Sequence, residues 1–153
     1  MSFLEHKIPP PLLTVLIALL MWRSTSITAT ETLAPSWRYA VVIVLVVVGV
    51  TFGLLGVLAF RAAQTTTNPL KPEQASALVT TGVYQVTRNP MYLGLLLWLL
   101  ALAAYLWSWW LLAGPLIYVI YMTRFQIQPE ERILQNCFGE RYSAYVAKVR
   151  RWI

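Results

Sequence analysis

Residues 91–123 read MYLGLLLWLLALAAYLWSWWLLAGPLIYVIYMT, 33 residues without a charged side chain. One helix of that length would be about 50 Å long at 1.5 Å per residue. The hydrocarbon core of a bilayer is only about 30 Å thick. The run therefore has to turn. Trp107-Ser108-Trp109-Trp110 at its middle has the aromatic character of a membrane–water interface. The stretch reads as a hairpin of two shortish helices, about 91–106 and 109–126, with Gly114-Pro115 expected to kink the second.

The sequence upstream and downstream agrees with a membrane setting. Residues 39–60 form a second uncharged run, the clearest span, taken as about 37–60. Its Gly49-xxx-Gly53 spacing, with Gly56 beyond, is that of a close helix-packing face. A nucleotide-binding glycine loop is the weaker reading, because no strand precedes it. A first span of about 8–28 opens at Ile8-Pro9-Pro10-Pro11 and is interrupted by Arg23. It lacks the basic lead and small-residue cleavage site of a signal peptide. Across all 153 residues the chain is 58% hydrophobic and 12% charged, against roughly 45–50% and 25% for a soluble domain. One cysteine (Cys137) and one histidine (His6) argue against an internal disulfide, a metal centre or a Ser-His-Asp triad.

Charge sets the expected orientation. Lys7, Arg61, Lys71, Arg88, Arg124, Arg132, Arg141, Lys148, Arg150 and Arg151 share one side of a four-span arrangement, leaving Arg23 and Arg38 on the other. Ten against two satisfies the positive-inside rule with both termini cytoplasmic. A net charge of +6 is then assigned to anionic lipid headgroups rather than to nucleic acid. At the C-terminal end, Pro129-Glu130-Glu131 is a helix start. Leu134, Phe138, Tyr142, Tyr145 and Val149 form one apolar stripe on an amphipathic helix, broken or bent at Gly139 and expected to lie on the cytoplasmic interface. The expected fold is thus all-α: one polytopic membrane domain over 1–153, about four transmembrane helices with a C-terminal hairpin, and a cytoplasmic cofactor region of 65–92 plus 124–153.

Two interfacial stretches hold polar residues that a scaffold does not need. Residues 78–94 lead into the third span, and residues 124–131 leave the fourth. A hairpin brings those ends together, so Arg88, Asn89, Tyr92, Arg124, Gln126, Glu130 and Glu131 can converge. Charges at membrane depth are costly, and a convergent set of them marks a functional site. The plainer reading is snorkelling arginines, an Asn-Pro cap and acids serving a helix dipole.

Thr81-Gly82-Val83-Tyr84, Arg88-Asn89-Pro90-Met91-Tyr92-Leu93-Gly94, and Glu130-Glu131-x-x-Leu134-x-x-x-Phe138-Gly139-x-x-Tyr142-x-x-Tyr145 together resemble the isoprenylcysteine carboxyl methyltransferase family, most closely its short bacterial members. The likeness covers about residues 65–153. It implies S-adenosylmethionine as cofactor, a lipid-like or prenylated acceptor entering from the bilayer, no metal, and, for a bacterial member, residence in the inner membrane. By resemblance, Leu78, Val79, Tyr84, Asn89, Pro90, Met91, Tyr92 and Glu130 fall at cofactor-contact positions, and Arg88 beside them is taken as cofactor-binding. Tyr84 and Tyr92 offer ring faces to a cation or adenine, Glu130 accepts from an ammonium or ribose, and backbone N–H groups of the 78–84 loop meet a carboxylate. Arg124 and Gln126 are expected to line the acceptor end, and with Glu130 they form the expected catalytic set. In-line methyl transfer needs alignment and desolvation more than a covalent nucleophile.

The resemblance departs at two positions. Asn89 stands where many members have His, and it cannot take a proton. Gln126 stands where the prenylcysteine enzymes resemble one another in an Arg, and Gln cannot neutralise a substrate carboxylate. Two other readings compete: an NADPH-dependent reductase of sterol-reductase-like architecture, for which Lys71, Arg88 and Arg124 are too few phosphate-binding cations, and a non-catalytic packing subunit.

Overall fold

The computed structural model describes residues 7–25, 35–63 and 77–153, and every regular element among them is helical. Positions 26–28 of the expected first span, residues 65–76 of the cofactor region, His6 and Lys71 lie outside the described residues. Helix α1 (Pro10–Thr25) starts on proline, which suits a first turn whose N–H groups have no helical partner. Helix α2 (Arg38–Ala62) has 25 residues and is the one described helix both long and apolar enough to cross a membrane. Helix α1 and helix α3 (Pro90–Leu106) are apolar but shorter. Then follow α4 (Ala113–Tyr121), α5 (Gln128–Phe138) and α6 (Glu140–Val146).

The hairpin turns at the tryptophan cluster. Helix α3 stops at Leu106, and Trp107 takes a left-handed backbone, φ 53°. The Trp37 ring stands edge-on to Trp107 at 5.1 Å between centroids. The second helix of the hairpin is not the single kinked rod expected over 109–126. Trp109–Leu112 forms a 3-10 turn, α4 follows, and Met122–Ile127 forms a π turn. Gly114 and Pro115 sit in the first turn of α4, where a missing N–H disrupts little.

Helices α2 and α3 make the most extensive contact in the fold, and glycine makes it close. A Cβ on Gly94 would lie 2.6 Å from the Gly49 carbonyl oxygen and 3.3 Å from the Gly53 nitrogen. The Gly49-xxx-Gly53 face therefore meets α3 backbone to backbone. Leu13, Ile17 and Met21 of α1, Leu99 and Ala103 of α3, and Tyr118 and Met122 beyond fill the main core. The outer faces stay apolar: Leu16, Leu19 and Leu20 of α1, Ile43, Val44 and Leu54 of α2, and Leu116, Ile117 and Ile120 of α4 are all at least half exposed. That far exceeds the scattered apolar surface of a soluble monomer.

The C-terminal stripe differs from expectation in its partner. Tyr142, Tyr145 and Val149, with Leu134 and Phe138 beside them, pack on Val79, Tyr84 and the Phe60 end of α2, not on an open interface. The break at Gly139 explains this. Its φ of 52° and ψ of −124° are open to glycine and strained for other residues, and Gln135 and Ser143 hydrogen-bond across it at 3.0 Å. The helix is thus two pieces, and the second packs its Tyr142 and Tyr145 face on protein.

Candidate functional site

The π turn decides which side chains meet. A proline disfavours helical geometry at the residue before it, yet Gln128, before Pro129, keeps helical dihedrals, φ −60° and ψ −43°. In a regular helix the Pro129 ring would press on the Phe125 carbonyl four residues back. The wider i→i+5 turn over Met122–Ile127 opens the backbone there, and the helix runs on. Gln126 ends up buried, 2% exposed, while Arg124 points out and, among the described residues, donates to Gln128 at 3.5 Å.

Glu130, in the first turn of α5, closes one side of this arrangement. The Tyr92 hydroxyl donates to Glu130 Oε1 at 2.6 Å, and Gln126 Nε2 donates to the same oxygen at 2.5 Å. Oε2 takes neither bond. The Tyr92 ring is buried in the first turns of α3, and its carbonyl accepts from Tyr118 at 3.3 Å. Burial pushes the Glu130 carboxyl up to about 7; the two hydrogen bonds pull it down and the Glu131 charge adds to the rise.

Glu131 faces the other way, into guanidinium. Arg151 donates through Nε to Oε1 at 2.9 Å and through Nη2 to Oε2 at 2.6 Å. Arg88 Nη1 lies 3.1 Å from Oε1 and also donates to the Tyr142 hydroxyl at 3.4 Å. Burial, then the Glu131 charge, push the Tyr142 phenol up to about 12 against the pull of Arg88 and Arg151. A cavity of about 760 Å³ opens here, lined by Arg88, Glu131, Arg132, Gln135, Tyr142 and Arg151 among others. Arg88 Nε is buried without a hydrogen-bond partner among the described residues.

Of the residues singled out from sequence, Tyr92, Gln126 and Glu130 meet directly, and Arg88 lies on the Glu131 side of α5. Asn89 does not cap α3 with its side chain; its amide donates to the Arg151 carbonyl at 2.9 Å. Pro90 is the first residue of α3, and Met91 packs at Gly56 of α2. Leu78, Val79 and Tyr84 belong to the apolar cluster under α6, with Tyr84 edge-on to Phe60 at 5.4 Å. Arg124 joins none of these groups. Sequence reasoning missed Thr87, Arg151 and Trp152. Thr87 is fully buried and Trp152 donates to Thr123 at 3.2 Å, but nothing in their local sequence separates them from ordinary loop residues and lipid-facing cations.

An all-helical fold with lipid-compatible outer faces and a polar site at one end of its helices defines a membrane protein. The phospholipid methyltransferase family matches residues 37–141, and the chain belongs to that family of membrane methyltransferases. It is 46% identical over 68 residues to an uncharacterized protein of Haemophilus influenzae, covering 41% of this chain and all of that protein. It is 31% identical over 86 residues to protein-S-isoprenylcysteine O-methyltransferase B of Arabidopsis thaliana, covering 52% of this chain and 41% of the plant protein. No solved structure matches it.

Proposed function

We propose that the protein transfers a methyl group from S-adenosylmethionine to a lipophilic acceptor that reaches the site from the bilayer. The observation that carries this reading is the Tyr92–Gln126–Glu130 cluster, a carboxylate set at the edge of the apolar core between the two motifs that carry the family likeness. The donor set suits the cofactor. Glu130 Oε2 is open to an ammonium or a ribose hydroxyl, and the orphaned N–H of Arg88 suits a carboxylate. When bound, the cofactor supplies an electrophilic methyl carbon on a sulfonium. The chain's own part is to hold it, align it and exclude water. Gln126, buried beside Glu130, faces the acceptor end; with a neutral amide in that place, an anionic acceptor would meet the Glu130 charge.

The same reading makes residues 1–153 one domain that crosses the membrane four times, with both termini and the 65–92 and 124–153 regions cytoplasmic and basic residues against anionic headgroups. The exposed apolar faces of α1, α2 and α4 support it, as does the ten-to-two basic asymmetry. In a bacterial host the membrane is the inner one.

Calorimetric titration of the detergent-purified protein tests the cofactor. S-adenosylmethionine or its demethylated product should bind and raise thermal stability by about 2.7 kcal/mol at a hundredfold excess over Kd, with no effect of NADPH. Stabilisation by NADPH alone would replace this reading with a reductase. Labelling of a cysteine at position 150 from the external side, in a Cys137→Ser background, would overturn the topology.

A further inference from the structure

Tyr92 and Glu130 come from elements 38 residues apart, so something has to hold those elements in register. Residues 150–152 touch both. The Arg88 backbone N–H donates to the Arg150 carbonyl at 3.0 Å. The Arg151 carbonyl accepts from Thr87 Oγ1 at 3.2 Å and from Asn89 Nδ2 at 2.9 Å, which fills both of its lone pairs. The Arg151 guanidinium grips Glu131 on α5 with two parallel bonds. Trp152 is anchored on Thr123 in the π turn.

We propose that Arg151 is a positioning residue: by holding the 87–89 segment through its carbonyl and α5 through its guanidinium, it fixes the separation of the Tyr92 and Glu130 elements. In its activity arm this rests on the methyl-transfer reading; in its structural arm it does not. The geometry favours a clasp over a simple ion pair. A bidentate guanidinium restrains both distance and orientation, which a point charge does not. The Thr87 hydroxyl and the Asn89 amide both turn their donors to the one Arg151 carbonyl, so two side chains of the 87–89 segment are tied to a single point. Asn89 thereby has a role that requires an amide donor and no proton chemistry.

The test uses the full chain in detergent, with spin labels on the native Cys137 and on Gln85→Cys, both exposed positions. Arg151→Ala should broaden and shift the interlabel distance at unchanged helical content, and Arg151→Lys should do so by less. Where Arg151→Ala does not fold, Arg151→Lys decides. A distance distribution equal to wild type in the folded variant would overturn the proposal. In parallel, Arg151→Ala and Glu131→Ala should each weaken binding of the demethylated cofactor about tenfold, and the double variant should be no worse than either alone. Additive losses would overturn the link through Glu131. Failure of wild type to bind the cofactor, with the distance still shifting in Arg151→Ala, would refute the methyl-transfer reading and leave the clasp standing.

Discussion

Glu130 and Glu131 are neighbours in the same helical turn, yet they occupy opposite chemical settings. Glu130 looks toward the apolar core, takes two hydrogen bonds on one oxygen, and among the described residues is paired with no cation. Glu131, about 100° around the helix, is held between two guanidiniums. Desolvation without compensating charge makes the first reluctant to ionise, whereas the second is gripped by guanidinium and load-sharing. The same side chain is a binding group on one face and a structural tie on the other, and only the surroundings decide which.

The largest expected effect separates the two faces by ligand. Glu130→Gln removes a charge-assisted partner worth roughly 1.5–3 kcal/mol, so S-adenosylmethionine affinity should fall tenfold or more in calorimetric titration. Wild-type affinity in that variant would reduce Glu130 to a helix-dipole residue. Glu131→Gln should act on the fold instead. Two guanidiniums lose their carboxylate, and at about 2 kcal/mol, discounted for partial exposure, thermal melting should drop by several degrees, roughly 4–8 °C for a chain of this size. Glu130→Gln should not lower the melting temperature at pH 8.

A smaller effect appears in pH dependence. With the native Glu130 carboxyl near 7 and the ordinary value 4.5, the folded state holds a proton between those limits that the unfolded state has released. Ligand-free stability therefore falls as pH rises through that window. Melting curves from pH 4 to 8 should show this slope, and Glu130→Gln should flatten it while Glu131→Gln, which removes only the smallest contribution to the rise, should reduce it slightly. The smallest effect is Arg124→Ala. An exposed side chain with one long bond to Gln128 should change stability by under about 0.5 kcal/mol and cofactor affinity by less than twofold.

Sequence made some of this readable and not the rest, for physical reasons. The turn at Trp107 follows from comparing a run length with a bilayer thickness, and that comparison needs no tertiary knowledge. The meeting of Tyr92 with Glu130 was accessible because a hairpin returns the chain to the same side. The π turn was not, because it depends on where one proline ring presses on one carbonyl. Arg151 was hidden for a different reason. Its partners Glu131, Asn89 and Thr87 lie 20, 62 and 64 residues away, and a basic residue beside an apolar span already had an explanation in lipid. The stripe from Leu134 to Val149 was visible in its period, but a period does not say whether lipid or protein will cover it.

The π turn also bears on which changes in chain length the protein tolerates. An i→i+5 turn carries one residue more than its share of helical rotation requires. Removing Arg124, whose exposed side chain donates to Gln128, should let the remaining backbone close as an ordinary helix while α5 keeps its phase and both carboxylates keep their faces, at the cost of the Pro129 ring pressing again on the carbonyl four residues back. Removing one residue from α4 or from the start of α5 has no such slack. Every side chain beyond the cut would rotate by about 100°, and Glu130 and Glu131 would each leave the partners they now have. A one-residue deletion is therefore mild at Arg124, where the π turn can absorb it, and ruinous in α4 or at the start of α5.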